Sequence, residues 1–487
     1  MESSRLDPVH VYRVAIVLST AALKSLRSSP REYVHAGLKC DDQTFASVGV
    51  RLKGSTGSFR GIDDKPGLTV DLARYDSNLS FQGQTKFHLN NSVEDPSYLS
   101  EQLGAEFFRA AGVPVPDVSH ALVTLNGREL GLYVVVEGLT PGFLRRHFVR
   151  TDGEVFEKDL ELDKEAGEVP VGLRRLWRAC RESGQAGGWQ KLGESVNKSR
   201  FVSFLTAEAM VVHRDGYGPA RNNFRIYVDP ETGCAEFIPH GMDQLFQLKT
   251  YPVQPQMAGS AARAWVGTTE GVAAYQSRFR ELFQQVYRLD VLTNRVTELA
   301  QQLQNQLDRK LAAEVQRGAG ELTGRIVQRG QWLATELTQP ARQSPIFVAG
   351  VAKLVGWQPV GVSDGSRAAL ITVPPKISAL EIAIDSAAMV SWQTQLKLPV
   401  GRYIFEARAR TIEVEELPFG KGSGAVLRWL GGEGVSSRLV GTSEWEKLYF
   451  MFEVINPAEE VILRCELKAQ RGRAFFDFNS LILRQLK

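Results

Sequence analysis

Apolar residues along this chain follow two different spacings, and the change comes near residue 340. Before it, short alternating runs are mixed with long stretches whose apolar residues recur three and four apart, the marks of strands and amphipathic helices together. Beyond it, alternation with a period of two dominates to the end of the chain.

VGVRLKG (Val48 to Gly54) alternates as a strand, STGSFRG supplies a turn, and KPGLTVDL (Lys65 to Leu72) returns as its partner. A helix is predicted from about Ser97 to Ala111. Asp95 and Pro96 signal its start, Gly112 its end, and Leu99, Leu103, Phe107 and Ala110 its buried stripe. On that stripe Glu106 lies beside the apolar face and Glu101 away from it. A strand over Ser119 to Leu125, the turn Asn126-Gly127 and the buried run GLYVVVEG, which reaches Glu137, follow in order. Val155 to Arg200 is charge-rich and helical, and Phe201 to Val212 is an apolar helix. FRIYV (Phe224 to Val228) and AEFIP (Ala235 to Pro239), joined by DPETG, read as a hairpin. Leu248 to Thr269, shortly after Asp243, lacks periodicity; its position suits a substrate-facing or activation-type loop, although an ordinary connector is the expected role. Helical spacing resumes with Phe279, Leu282, Phe283 and Val286, and continues over Val291 to Gly318 and Gly324 to Leu337.

Thr338 to Ile346 replaces the helical pattern with proline and polar residues, which marks a boundary. About eight strand-like runs follow, among them ALEIAI, GRYIFEARART and EEVILRCELKAQ, and they suggest an antiparallel sandwich of jelly-roll type. The expected fold class is α+β. Residues 1–340 form one domain, with a small lobe to about 140 and a helical lobe over 141–340, and residues 346–487 form the β-sandwich. Trp392, Trp429 and Trp445 could offer a stacking face to sugar rings, although a place in the sandwich core is the expected role.

Composition narrows the partners. A net charge of +3 over 487 residues, with no long basic block, gives no electrostatic case for nucleic acid. The four cysteines, Cys40, Cys180, Cys234 and Cys465, show no zinc-site spacing. No run approaches a membrane span. VAIVLSTAAL (Val14 to Leu23) has the apolarity of a signal-peptide core without a convincing cleavage site after it. Localisation stays open: secreted or cell-surface if a signal peptide was removed, otherwise cytoplasmic.

The chemistry gathers at the hairpin. Pairing of its strands would carry Asn222 and Asn223 close to Asp243, while Asp215 lies eight residues before Asn223 in a loop punctuated by Gly216, Gly218 and Pro219. A carboxylate and an amide oxygen are hard ligands for Mg²⁺, and a separate carboxylate can orient an attacking hydroxyl. Phosphoryl transfer needs that combination, because it depends on positioning and charge neutralisation. The competing reading is that these side chains only satisfy turns. Lys53, Lys65 and Lys86 all sit at or beside predicted strands, and any of them could meet phosphate. Gly54 and Gly57 do not form a P-loop.

With VGVRLKGSTGSFRG, KPGLTVDL, KFHLNNSVEDPSYLSEQLGAEFFRAAGVPVP (Lys86 to Pro116), LNGRELGLYVVVEG (Leu125 to Gly138) and the segment His213 to Phe246 in this order, the chain resembles the CotH family, spore-coat kinases of atypical protein-kinase fold. The resemblance covers roughly the first 340 residues. It implies a two-lobed kinase-like domain and ATP-dependent transfer of phosphate to Ser or Thr hydroxyls of a protein substrate, with Mg²⁺, or Mn²⁺ in its place, as cofactor. By position Asp215 would be the catalytic aspartate, Asn223 a metal ligand, and Asp243 the metal-binding aspartate. Asp-Gln-Leu stands where kinases carry Asp-Phe-Gly, so Gln244 leaves the number of metals open. The family pattern favours Lys65 as the phosphate-binding lysine, and the strand order of ordinary kinases favours Lys86. Glu106 is the expected partner of that lysine, and Glu137 would help organise the adenine pocket at the hinge.

The C-terminal part resembles galactose-binding-like domains, which implies a glycan or cell-surface ligand. The contrasting function is a catalytically silent surface- or carbohydrate-binding protein that keeps the kinase-like fold as scaffold. A glycosidase is the weaker third reading, since Asp215 and Asp243 are the one carboxylate pair on offer.

Overall fold

A computed structural model describes residues 5–55, 57–156, 171–338, 345–417, 423–430, 434–455 and 459–486. It divides into two compact units, one of Met1–Val253, Met257–Trp265 and Glu270–Leu337, the other of Gln254–Gln256, Val266–Thr269 and Thr338–Lys487. Most of the expected boundary segment, residues 339–344, and residues 157–170 of the charge-rich stretch lie outside the described residues.

The first unit opens with a closed barrel of seven strands: β1 (Val11–Leu18), β2 (Val34–Cys40), β3 (Gln43–Lys53), β4 (Gly67–Asp71), β5 (Lys86–Asn90), β6 (Val118–Leu125) and β7 (Arg128–Glu137). Their order is β1-β2-β3-β4-β5-β7-β6. The predicted hairpin forms in register, with Val50 opposite Val70 and Lys53 opposite Gly67. Closure comes from a parallel pairing of β1 with β6, Val11 opposite His120 and Ile16 opposite Leu125. Val14, Ile16, Val50, Leu68, Val70, Leu89, Val123 and Tyr133 fill the barrel core. The apolar run at Val14 is thus part of β1, and α1 (Thr20–Ser28) follows it, capped by Ser19, whose side chain accepts from the Ala22 amide.

Helix α2 (Ser100–Ala110) starts three residues later than expected, because Asp95 is engaged in a turn. Its carboxylate accepts from the Ser97 amide and hydroxyl and from the Ser100 amide. The single-stripe picture of this helix fails. Ser100 to Ala105, Phe107 and Phe108 are all buried, so α2 has two packed sides. Glu101 is the buried carboxylate, and Glu106 is the partly exposed one.

After α3 (Pro141–His147), β8 (Val155–Phe156), α4 (Val171–Glu182) and α5 (Gly188–Ser195), the long α6 (Lys198–Met210) is enclosed from Phe201 to Met210. The short α7 (Tyr217–Ala220) leads to β9 (Phe224–Val228) and β10 (Ala235–Pro239), which pair as predicted, Phe224 opposite Pro239. Helices α8 (Ser260–Val266), α9 (Thr269–Gln285), α10 (Leu289–Gln304) and α11 (Arg309–Thr338) follow in the chain. The break expected between Gly318 and Gly324 falls instead between Gln304 and Arg309. Asp308 starts α11 there by accepting from the Lys310 and Leu311 amides, and the helix continues through its glycines for 30 residues.

The second unit holds β11 (Val351–Lys353), β12 (Gln358–Val360), β13 (Ser366–Val373), β14 (Ile377–Ile384), β15 (Ala388–Leu398), β16 (Gly401–Glu415), β17 (Gly424–Leu430), β18 (Glu446–Val454), β19 (Glu459–Ala469), β20 (Arg471–Asp477) and β21 (Ile482–Leu486). One sheet runs β11-β21-β16-β20-β14-β13, with β18 also on β16, and a four-stranded sheet runs β12-β15-β19-β17. Residues of both sheets, including Ile382, Phe405, Leu427, Phe450, Leu463 and Phe476, share one core, which makes this an antiparallel sandwich. Trp392 and Trp429 belong to that core, with Trp392 Nε1 donating to the Glu381 carbonyl at 3.0 Å. Trp445 is half-buried, with the Arg410 guanidinium 5.5 Å from its ring centre. The three tryptophans therefore form no common stacking face. None of the four cysteines is in a disulfide. Among the described residues, no helix is long and apolar enough to cross a membrane.

Candidate active site

A cleft of about 830 Å³ lies within the first unit, and Lys53, Asn90, Glu94, Asp215, Asn223 and Asp243 are among its lining residues. On the barrel side, the walls come from the end of β3, the loop that follows it, and the end of β5. In that loop, Gly54 and Gly57 have positive φ, a conformation that glycine adopts without strain. A Cβ on Gly57 would stand 2.7 Å from the Glu94 carboxylate. The buried Asn91 amide pins the loop by donating to the Ser58 and Lys65 carbonyls at 3.0 and 2.9 Å.

The opposite wall is built by the β9–β10 hairpin and its flanks. Asn223 sits in the left-handed region at φ 46°, just before β9. Its main-chain carbonyl accepts from the His240 amide at 3.0 Å, which closes the base of the hairpin. Gly241 follows at φ 60°, where a Cβ would be 2.7 Å from the Asn223 amide group, so only glycine fits beside that side chain. Two residues on stands Asp243. The Asn222 and Asn223 side-chain amides both donate to Asp215 Oδ2, at 2.9 and 2.8 Å. The structure thus brings Asp215, Asn223 and Asp243 to one cleft.

The loop that carries Asp215 is held from below by Glu208, on α6. Its two carboxylate oxygens accept from the Tyr217 and Gly218 amides at 2.7 and 2.8 Å. Complete burial pushes this carboxyl up to about 8 against those two bonds. His213 Nε2 contacts the Gly241 carbonyl at 3.1 Å, a second tie between the Asp215 loop and the Asp243 loop.

Four expected site residues lie elsewhere. Lys65 Nζ donates to the Tyr98 hydroxyl at 2.9 Å and lies over the Tyr98 and Tyr133 rings, and burial pushes it down to about 8. Lys86 pairs with Asp71 at 2.9 Å. Glu106 is held by Arg295 of α10 through two bonds of 2.8 Å. Glu137 is buried, accepts from the Asp117 amide at 3.0 Å and pairs with Arg146. None of the four lines the cleft.

The lysine that does line it is Lys53, the last residue of β3. Its ammonium donates to Asn90 Oδ1, and Asn90 Nδ2 reaches Glu101 Oε2 at 3.4 Å. Burial pushes Lys53 down to about 8, opposed by the charges of Glu101 and Asp243. Burial, and then the Asp243 charge, push Glu101 up to about 7. Asp243 itself rises to about 6, through burial first and the Glu94 charge second. These groups form one interacting set around the cleft. Lys53 was visible in the sequence as the strand residue before the glycine turn. Nothing in the spacing separated it from Lys65.

A divalent ion suits the donors present. Asn223 Nδ2 is directed at Asp215, which leaves its Oδ1, together with the Asp243 carboxylate, as hard oxygen ligands. Mg²⁺ is commonly held by one or two such protein groups plus substrate phosphates. No cluster of three or more His, Cys, Asp or Glu that could hold a metal ion occurs among the described residues.

Comparison with known proteins matches residues 50–342 to the family described as CotH kinase protein. The chain is 26% identical over 189 residues to inner spore coat protein H of Bacillus subtilis (strain 168), a match that covers 34% of this chain and 51% of that protein. It is 33% identical over 72 residues to the inner spore coat protein H-like protein of the same organism, covering 15% and 24%. The chain thus spans about half the length of the first curated relative. Among solved structures, the Helicobacter pylori proinflammatory kinase CtkA aligns with 8% identity over 54% of this chain and 94% of its own, at a TM-score of 0.30. TmCBM61 in complex with beta-1,4-galactotriose aligns with 14% identity over 30% of this chain and 99% of its own, at 0.20.

Proposed function

The chain belongs to the CotH kinase protein family, and from that premise we propose that it transfers the terminal phosphate of ATP to Ser or Thr hydroxyls of a protein, with the cleft around Asp243 as its active site. The observation that carries this reading is the convergence of Asp215, Asn223, Asp243 and Lys53 on one cleft.

Asp215 receives the acceptor's proton. Its Oδ2 is occupied by two amide donors, which fix the carboxylate plane and leave Oδ1 for the incoming hydroxyl. The acceptor oxygen forms a bond to the terminal phosphorus as the bond to the bridging oxygen breaks, and the nucleoside diphosphate leaves. Asn223 and Asp243 would hold Mg²⁺, which when bound would neutralise phosphate charge. Lys53, steadied by Asn90 and Glu101, meets phosphate in the role first expected of Lys65 or Lys86. The backbone amides of the loop after Lys53 approach the same phosphates. Glu208 fixes the turn behind Asp215.

Nucleotide titration with and without Mg²⁺ tests the assignment. Asp243→Ala should lose the metal-dependent part of the affinity, whereas Asp215→Ala should bind nucleotide as the parent does and lose turnover by a factor of about 10² or more. Equal, metal-independent affinity in the parent and in Asp243→Ala would remove the reading.

A further inference from the structure

Arg329 lies in the interior of α11 and is fully buried. Its guanidinium donates to four main-chain carbonyls. Nε and Nη2 reach Met210 and Ala209 at 3.2 and 2.8 Å, and Nη1 reaches Lys249 and Tyr251 at 3.0 and 2.6 Å. The Trp332 ring lies 4.8 Å from its central carbon. The first two carbonyls belong to the last turn of α6, where a helix leaves acceptors unsatisfied and partial negative charge exposed. Asp215 follows Met210 by five residues. The other two carbonyls follow Asp243 by six and eight residues. One side chain therefore grips both segments that carry the site.

The backbone between that grip and the site is held in costly conformations. Val212 and Phe246 both have φ 61°, which a β-branched or bulky residue rarely adopts. The Phe246 amide donates to the carbonyl of Val211, the residue just before Val212, at 2.8 Å, which holds the two strained segments side by side. Such geometry persists only where its surroundings over-determine it. The planar fork of a guanidinium suits that task, because it can serve several carbonyls at fixed angles, whereas an ammonium cannot span them.

We propose that Arg329 is a positioning residue: by joining the end of α6 to the segment after Asp243, it sets the separation between Asp215 and Asp243 during phosphoryl transfer. The proposal rests on the kinase reading above for its consequence, but the clamp can be measured without turnover.

The experiment compares Arg329→Lys in the full chain with Leu322→Ala, which removes a buried leucine from the same helix without touching the four carbonyls. Hydrogen exchange is followed at the Phe246 and Gly216 amides, together with turnover and nucleotide affinity. In Arg329→Lys those amides should exchange at least about tenfold faster than in Leu322→Ala, with the barrel strands unchanged. Turnover should fall about 10- to 100-fold while nucleotide affinity stays within about threefold, as expected for misplaced groups. Equal exchange in the two variants, or unchanged turnover in Arg329→Lys, would overturn the proposal. If the parent shows no turnover, the kinase reading fails and the exchange comparison still decides whether the clamp exists. If Arg329→Lys does not fold, exchange in the unaltered protein decides. One shared opening of Phe246, Gly216 and the helical turn around Arg329 supports the clamp, and separate openings refute it.

Discussion

Lys53 and Lys65 show how little a residue's type says about its task. Both are lysines beside a barrel strand and both are pushed down to about 8 by burial. Lys65 spends its charge on Tyr98 and two aromatic rings, and Lys53 faces Asn90 and the cleft. Phosphate binding requires the ammonium form, so nucleotide affinity is expected to weaken as pH rises through about 8. Lys53→Met should bind more weakly at neutral pH and lose that alkaline fall. Folding lowers this pKa from 10.5. The folded protein therefore binds fewer protons than the unfolded chain between about 8 and 10.5, and without nucleotide this residue's contribution to stability improves as pH rises through that window. Nucleotide titration across pH checks the first claim, and an affinity in the parent that stays flat to about pH 9.5 would exclude Lys53 from the phosphate site. The Asp215, Asn223 and Asp243 grouping was legible because a hairpin between recognisable strands brings its own flanks together. The placement of Lys53 at the cleft and the burial of Glu101 behind Asn90 were not, since they depend on how β3 and α2 pack in the folded chain.

At the scale of elements, α11 carries glycines whose surroundings differ sharply. A Cβ on Gly318 would stand 2.5 Å from the Ser97 amide nitrogen and 2.6 Å from its Cα, so the helix packs directly on that backbone. Gly320 and Gly324 have nothing within 4 Å. Replacing an exposed helical glycine by alanine stabilises a helix by up to about 1 kcal/mol. Gly320→Ala and Gly324→Ala should therefore each raise the melting temperature. Gly318→Ala should lower it, with a net loss of about 1–3 kcal/mol from overpacking against rigid backbone. Thermal unfolding of the three variants checks the contrast, and a stabilised Gly318→Ala would contradict the close packing. The sequence pattern placed a break in this region because glycines read as punctuation. The helix survives them because Gly318 is wanted for contact, and because Asp308 had already supplied the start signal.

For the whole molecule, the sandwich has a core of its own, drawn from residues between Leu354 and Leu483. Residues 346–487 expressed alone are expected to give a β-rich product that unfolds in one cooperative transition, measured by circular dichroism. An unfolded or aggregated product would count against the boundary. The amino-acid sequence by itself determined the strand-rich end, the hairpin with its flanking carboxylates and amides, and most helices, because spacing and turn chemistry act between near neighbours. Tertiary structure alone decided the closure of the barrel through β1 and β6, the placement of Lys53 rather than Lys65 at the cleft, the burial of Glu101 rather than Glu106, and the carbonyl contacts of Arg329. The Arg329 side chain bonds a carbonyl 119 positions away. At that separation no local pattern distinguishes a buried, fully engaged charge from one that faces water.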